Sequence, residues 1–218
     1  MRLIANKWSK FAVLLRHAGV AKHIPDMRRF SASNLQVMLR QYLFVVAKPI
    51  IGTGGSGVVK IQKTSNGYLL HNSETKRTFR TWKGLFSALN RIRQNRPFML
   101  QQGIHLATID GRPVDYRVKL AKAGRSWIIR AVVGRLARPG LFVTNLCRGG
   151  TLLGGTYALR RTFPVSQVKS KIDTMCGVAR TCTRLLESRY PGIGMLGYDF
   201  GIDKQGNVWI FEVNTKPH

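Results

Sequence analysis

The C-terminal stretch Gly197-Tyr198-Asp199-Phe200-Gly201-Ile202-Asp203-Lys204-Gln205-Gly206-Asn207-Val208-Trp209-Ile210-Phe211-Glu212-Val213-Asn214 carries the most fold information in this chain. Two runs rich in β-branched and aromatic residues flank a polar, glycine-containing turn, which predicts an antiparallel hairpin. A turn centred on Gln205-Gly206 sets Asp199 directly opposite Glu212. Glu212 and Asn214 share strand parity and so point to the same face. Carboxylates opposed across strands repel. A hard divalent cation removes that repulsion and takes Asn214 as a third oxygen ligand; magnesium commonly combines one or two protein carboxylates with nucleotide phosphates and water. On this reading, neutralising either acid leaves the metal-free hairpin folded or slightly more stable. The competing expectation is that both acids are exposed and pair with neighbouring Lys and Arg.

Acids are scarce elsewhere. The 218 residues include Lys+Arg 36 against Asp+Glu 9, a net charge of +27, and three of the nine acids lie between Asp199 and Glu212. The excess is not a tail: residues 1–44 carry 8 basic and 1 acidic side chains, 45–110 carry 10 and 2, and 111–218 carry 18 and 6. A body this basic attracts polyanions (nucleic acid, anionic wall polymer, membrane or a phosphorylated substrate) without naming one, and the same charge is equally read as a solvated basic surface. The length permits one large domain or two small lobes with a core that needs no staples. Apolar content of 44% with 8 prolines excludes a mainly disordered or collagen-like chain. The longest early apolar run, Phe11 to Leu15, is five residues, too short for a membrane span or a signal-peptide core. Cys147, Cys176 and Cys182 show no C-x-x-C spacing and read as buried thiols in a reducing compartment. The expectation is an intracellular, cytoplasmic globular protein.

Working outward, residues 1–44 read as a short basic helical segment, with pieces around Phe11–Leu15 and Leu35–Tyr42 broken by Ile24-Pro25-Asp26. Leu43 to Ala47 and Val58 to Ile61 read as strands, and Asn66-Gly67 as a hairpin turn leading into Tyr68-Leu69-Leu70. Thr81 caps a helix with Trp82, Leu85, Phe86, Leu89 and Ile92 on one face, followed by a strand at Phe98-Met99-Leu100. After an Asp110-Gly111 turn come strands at Tyr116–Leu120, Trp127–Val133 and Leu141–Leu146, then a helix after Ser166 with Val168, Ile172, Met175 and Cys182 along one face. The class is α+β with antiparallel hairpins. Domains are expected at 45–110 and 111–218, behind the 1–44 segment.

Gly52-Thr53-Gly54-Gly55-Ser56-Gly57 matches G-x-G-x-x-G. A dinucleotide fold needs a helix directly after that loop, whereas Val58-Val59-Lys60-Ile61 reads as strand, and no Gly-Lys-Ser/Thr makes it a Walker A loop. Together with Asp199-Phe200-Gly201 the loop imitates a protein kinase, but there is no H-R-D segment and only 17 residues follow Gly201, too few for a kinase large lobe. What remains is a glycine flap whose bare amides approach phosphates closely, or an ordinary flexible hairpin loop.

Val46-Ala47-Lys48-Pro49 before the flap, Leu100-Gln101-Gln102-Gly103-Ile104, Asp115-Tyr116-Arg117, Asn145-Leu146-Cys147-Arg148-Gly149-Gly150, and Gly197-Tyr198-Asp199 with Glu212-Val213-Asn214 occur in ATP-grasp order. From about residue 40 to its end the chain resembles that superfamily, and Gln101 to Pro113 is most similar to the YheC/YheD endospore-coat-associated proteins of Bacillus-type bacteria. The resemblance implies an ATP-grasp fold, two α+β lobes with antiparallel sheets gripping ATP. It implies a ligase that joins a carboxylate, unnamed by the sequence, to an amine through an acyl-phosphate. It puts Lys48 on the α/β-phosphates under Gly54, Gly55, Ser56 and Gly57. Gln101, Gln102, Gly103 and Ile104 meet adenine, Asp115 lies near the ribose, and Asn145 supports the metal end or the acceptor. Arg117, Arg135 and Arg148 face phosphate or acyl-phosphate charge, and Asp199, Glu212 and Asn214 hold Mg²⁺. Phosphoryl transfer is mainly positioning plus stabilisation of spread negative charge, which Lys, Arg and Mg²⁺ supply. The structural alternative is an ion pair for each arginine and a core cap for Asp115. The second functional expectation is a non-catalytic, strongly basic spore-associated or polyanion-binding protein, with no motif for sequence-specific nucleic-acid readout.

Overall fold

A computed structural model describes residues 2–72 and 75–217; Met1, Ser73, Glu74 and His218 lie outside that description. The chain divides into two compact units, one of Met1–Ile24 with His105–His218 and one of Pro25–Ile104. The first 44 residues are therefore shared out. α1 (Lys7–Leu14) and α2 (Ala18–Ala21) belong to the first unit, and β1 (Met27–Arg29) and α3 (Ala32–Gln41) to the second. The helix interruption at Ile24-Pro25-Asp26 is where the chain leaves one unit for the other.

The Pro25–Ile104 unit continues with β2 (Val45–Pro49), β3 (Val59–Thr64), β4 (Gly67–His71), β5 (Lys76–Phe79), α4 (Trp82–Arg93) and β6 (Phe98–Gln102). Its sheet runs β1-β6-β2-β3-β4-β5 and every pairing is antiparallel. Alternate residues Val45, Ala47, Val59, Ile61, Leu70, Phe98 and Leu100 pack with Leu35, Met38 and Leu39 of α3 and Leu85, Ala88 and Leu89 of α4. Thr81 caps α4 as its side-chain oxygen accepts from the Gly84 amide at 3.2 Å. The hairpin turn differs by one residue from expectation. Thr64 pairs with Gly67, so Ser65-Asn66 form the turn. Gly67 is required at the paired position: its φ is +132°, and a Cβ there would lie 2.2 Å from the Phe79 carbonyl oxygen.

The other unit adds β7 (Thr108–Ile109), β8 (Arg112–Ala123), β9 (Ser126–Leu136), β10 (Thr151–Gly154), α5 (Gly155–Arg160), α6 (Val165–Arg189), β11 (Met195–Ile202) and β12 (Val208–Asn214). The sheet order is β10-β9-β8-β11-β12, with β7 paired to β8. Tyr116, Val118, Leu120, Leu196, Tyr198 and Phe200 form the buried face, which α6 covers with Met175, Ala179, Cys182 and Leu186. The Thr183 and Tyr198 hydroxyls bond across that layer at 2.8 Å. The expected strand at Leu141–Leu146 is irregular chain ending in a 3-10 turn at Leu146–Arg148. The place beside β9 is taken by β10, and the segment leads into that strand as a connection.

In the terminal hairpin Asp199 does face Glu212, although two departures cancel to produce it. Ile202 pairs with Val208 and Phe200 with Ile210, a register that by itself would set Asp199 against Phe211. A bulge between Asp199 and Phe200 leaves Phe211 as the extra residue and restores Glu212. Gly201 makes room for it: a Cβ at Gly201 would sit 2.3 Å from the Phe211 ring.

Candidate functional site

In the unit that holds His105–His218, the sheet face turned away from α6 is charged. Register sets Asp115 opposite Arg135, Arg117 opposite Asp199, and Asp199 opposite Glu212, with Asn214 two residues further along β12. Arg117 donates from Nε to Asp199 Oδ1 at 2.8 Å and from Nη2 to Oδ2 at 3.0 Å. Arg135 donates from Nε to Asp115 Oδ1 at 2.8 Å and from Nη2 to Asp115 Oδ2, and its Nη2 also lies 3.1 Å from Asp199 Oδ2. Asp115, Arg135 and Asp199 are all buried. Burial opposes the Asp199 charge, but Arg135 and Arg117 outweigh it and hold the carboxyl below its ordinary range. Burial likewise opposes the Arg135 charge, and Asp115 and Asp199 overcome it, so the guanidinium is held above its ordinary value. Three residues expected at phosphate and ribose, Arg117, Arg135 and Asp115, are thus joined to Asp199 and to one another. Direct cross-strand opposition of unlike charges in a dry site produces this.

Glu212 is met from α1. Lys7 Nζ lies 3.4 Å from Glu212 Oε1, with side-chain exposures of 7% and 24%. Lys7, Lys10, Phe11 and Leu14 are the buried stripe of this helix. Lys10 Nζ donates to the Ile4 carbonyl at 2.7 Å. Burial draws the Lys10 pKa down to about 8, with Glu212 opposing and Lys7 reinforcing the shift. Sequence reading stopped at the apolar run and missed both lysines. Their spacing, four and one residues before Phe11 on a helical face, was the available signal. The repulsion between Asp199 and Glu212 is therefore answered by the protein's own cations. The donor set still fits a hard divalent ion: two carboxylate groups opposed in register and an amide oxygen on the same face are all hard oxygen donors. Among the described residues no three His, Cys, Asp or Glu side chains gather as a metal cluster, so Asn214, phosphate and water have to complete the shell.

Asp203, outside the expected set, organises the hairpin turn. It accepts from the Gln205 amide at 3.0 Å, the Asn207 amide at 2.8 Å, Asn207 Nδ2 at 3.0 Å and Trp209 Nε1 at 2.9 Å. Burial works against its charge, and these donors together lower its pKa.

In the Pro25–Ile104 unit, Lys48 and Gln101 are diagonal neighbours on the sheet face away from α3 and α4. Lys48 Nζ donates to Gln101 Oε1 at 2.7 Å and both residues are buried. Gln101 Nε2 is buried with no hydrogen-bond partner. Lys60, on the same face, has its pKa lowered by burial and then by Lys76. The flap joins β2 to β3, with Gly54, Gly55 and Gly57 at φ of 65°, 72° and 73°, a backbone that Cβ-bearing residues disfavour. Ser56 lies exposed between them. At the expected adenine segment the Gln102 amide donates to Asp26 O at 2.8 Å and the Gly103 amide to Phe44 O at 2.9 Å. Those two amides are committed within their own unit, which Ile104 ends. Asn145 and Arg148 lie in the loop before β10, where the Arg148 amide donates to Asn145 O at 2.9 Å.

A model of the YheC/D-like ATP-grasp proteins matches residues 2–218. This chain belongs to the YheC/D-like ATP-grasp family. Among curated relatives it is similar to the endospore coat-associated protein YheD of Bacillus subtilis, 28% identical over 220 residues that cover 97% of this chain and 48% of YheD. It is also similar to the endospore coat-associated protein YheC of Bacillus subtilis, 25% identical over 234 residues covering 99% of this chain and 61% of YheC. The chain thus spans about half to three-fifths of the length of these relatives. Its fold is that of the N5-carboxyaminoimidazole synthase of Aspergillus clavatus, solved with ADP and 5-aminoimidazole ribonucleotide: TM-score 0.61, 12% identity, covering 100% of this chain and 46% of that one. The L-amino acid ligase of Bacillus licheniformis matches with TM-score 0.55 and 14% identity over 97% of this chain and 40% of that one. The VanG D-Ala:D-Ser ligase of Enterococcus faecalis matches with TM-score 0.58 and 11% identity over 98% of this chain and 52% of that one. The α+β, ATP-grasp architecture of this YheC/D-like chain, with its two antiparallel sheets, is as expected. Among the described residues no helix is long and apolar enough to cross a membrane.

Proposed function

We propose that this YheC/D-like chain binds Mg-ATP and activates a carboxylate for ligation to an amine. The carboxylate oxygen takes the γ-phosphoryl group, ADP leaves, and the amine then displaces phosphate from the acyl carbon. The observation that carries the reading is the buried Lys48–Gln101 pair: an ammonium on a neutral amide oxygen, beside an amide donor without a partner. A buried unsatisfied donor costs about 1–3 kcal/mol, and an incoming phosphate oxygen supplies the acceptor that Gln101 Nε2 lacks. The flap Gly54–Gly57 covers the phosphates, and the chain from Gln101 to Ile104 meets the base. Arg117, whose side chain is 18% exposed, faces the transferred phosphoryl group. The more deeply buried Arg135 and Asp115 position Arg117 and Asp199. Asn145 and Arg148 serve the acceptor end. Asp199, Glu212 and Asn214 hold Mg²⁺, which supplies neutralisation of the phosphate charge when bound.

The family relatives' names support an association with the endospore, inside a Bacillus-type cell. The charge of +27 favours a second reading, a non-catalytic protein that adheres to polyanions through salt-sensitive, non-specific contacts. Calorimetric titration with Mg-ADP and Mg-ATP tests the first step: wild type binds, and Lys48→Ala weakens binding about tenfold or more by removing a point charge from the phosphates. A screen of amino acids and peptides for stimulated ADP release then tests ligation. Nucleotide binding without stimulation favours the adhesive reading, and no nucleotide binding by wild type overturns the proposal.

A further inference from the structure

Half of the buried stripe of α1 carries ammonium groups, at Lys7 and Lys10. Burying an ammonium is costly unless a carboxylate or dense hydrogen bonding answers it. Glu212 is the carboxylate beside them, 3.4 Å from Lys7 Nζ. It is also the accessible acid of the proposed metal set, because Asp199 is 6% exposed and carries two guanidinium groups. The placement of Lys7 is built into the fold and is not a loose surface pairing. Asn6 caps α1 by accepting from the Ser9 amide at 3.0 Å. The Ile4 amide donates to Thr215 Oγ1 at 2.9 Å, one residue beyond Asn214. Tyr190 Oη donates to the Ser9 carbonyl at 3.3 Å. The first of these bonds starts the helix, the second ties the chain before it to the residue following β12, and the third ties its first turn to the end of α6.

We infer that Lys7 is a resident cation at the Glu212 side of the metal site, which a divalent ion has to displace in order to use that carboxylate. The inference rests on the Mg-ATP reading for its purpose, and it concerns which charge Glu212 carries before nucleotide arrives. A lysine is suited to the exchange. Its ammonium is a compact point charge on a flexible stem, so a change of rotamer clears the carboxylate without moving α1. The displaced ammonium remains beside the site, where it faces whatever anion the metal brings. One singly charged group then serves twice, as a counter-ion in the empty state and as an anion-binding group in the loaded one.

The test is a Mn²⁺ titration of the full chain without nucleotide, read by water-proton relaxation, with thermal melts to verify folding. Removing the competing charge in Lys7→Met tightens Mn²⁺ binding about tenfold, and the smaller neutral side chain of Lys7→Gln gives the same direction if the first variant does not fold. Lys7→Arg keeps the competing charge and gives no tightening. Glu212→Gln abolishes the tightening when combined with Lys7→Met. Unchanged or weaker Mn²⁺ binding in the neutral variants overturns the inference, as does absence of Mn²⁺ binding in every protein. Nucleotide titration separates the two claims. Mg-ATP binding by wild type with no tightening ends this inference alone, whereas tightening without any nucleotide binding upholds the exchange and ends the nucleotide reading.

Discussion

On the sheet face of the larger unit turned away from α6, Arg117 and Arg135 stand in register against Asp115 and Asp199; on the helix-free face of the Pro25–Ile104 sheet, Lys48 and Lys60 share a unit whose only acids are Asp26 and Glu74. Both sheets bury their other face by the same period-two alternation. They differ in what the cations contact. In the first, two arginines make bidentate contacts with carboxylates. In the second Lys48 rests on a neutral amide, and burial presses on Lys60 while Lys76 adds to the pressure. A closed network of charges resists change because every member is another's partner. On the second face the buried Gln101 Nε2 lacks an acceptor, and that is the place proposed for a phosphate oxygen beside Lys48.

The comparison breaks most sharply at Asp199. Asp199→Asn leaves Arg117 and Arg135 undercompensated in a dry site, and about 3–5 kcal/mol of stability is expected to be lost, read as a fall in the urea midpoint. This reverses the expectation drawn from sequence, that neutralising an acid of the hairpin leaves it intact. Lys48→Met in the other unit is expected to shift the same midpoint by about 1 kcal/mol, the worth of its hydrogen bond to the neutral Gln101 amide. Equal losses in the two variants would remove the distinction between the two faces.

Gly201→Ala probes whether the charged register depends on the bulge. The added methyl meets the Phe211 ring, so a cost of about 1–3 kcal/mol is expected from overpacking, visible as a lower Tm. A variant that melts like wild type would mean Phe211 is not pinned there.

Asp203 sharpens the comparison in another way, as an acid satisfied by neutral donors instead of arginines. Asp203→Asn is expected to cost about 1–2 kcal/mol at neutral pH. Its folded pKa is lowered, so its contribution is complete above the ordinary carboxylate range and is lost as pH falls through the folded value. Melts of wild type and variant should converge in acid, and a gap that stays constant with pH would show that charge is not involved.

The smallest effect belongs to the cationic face. The Lys60 pKa is lowered, so the folded state penalises its charge at neutral pH and the penalty lifts as pH rises through the folded value. Lys60→Met is expected to raise stability by about a few tenths of a kcal/mol, discounted for its partial exposure, with the gain shrinking in alkali. Destabilisation at neutral pH would point to a carboxylate or phosphate-like partner already in place.

Legibility in the sequence followed the range of the interaction. Thr81 capping α4, the strand after the glycine flap and the Asp110-Gly111 turn are decided by residues a few positions apart. Leu141–Leu146 has residues that suit a strand, but β10 takes the place beside β9, and local composition does not say which segment takes it. The Asp199–Glu212 opposition came out as expected only because the bulge at Phe211 offset the displaced turn, and no local rule separates that bulge from an unbroken ladder. The lysines of α1 are not legible from apolar spacing, because ammonium groups rarely occupy a buried stripe.

The sequence by itself determined the alternation of elements, the antiparallel hairpins, the glycine-rich connection between β2 and β3, and the presence of hard oxygen donors on one hairpin. Those follow from side-chain period and turn chemistry, which act over a few residues. Only the tertiary structure decided which cation meets which carboxylate. Arg117 and Asp199 are 82 positions apart, and Lys7 and Glu212 lie near opposite ends of the chain. Such pairs are chosen by strand register, and burial, which exists only once the sheets and helices have closed, sets the strength of each one.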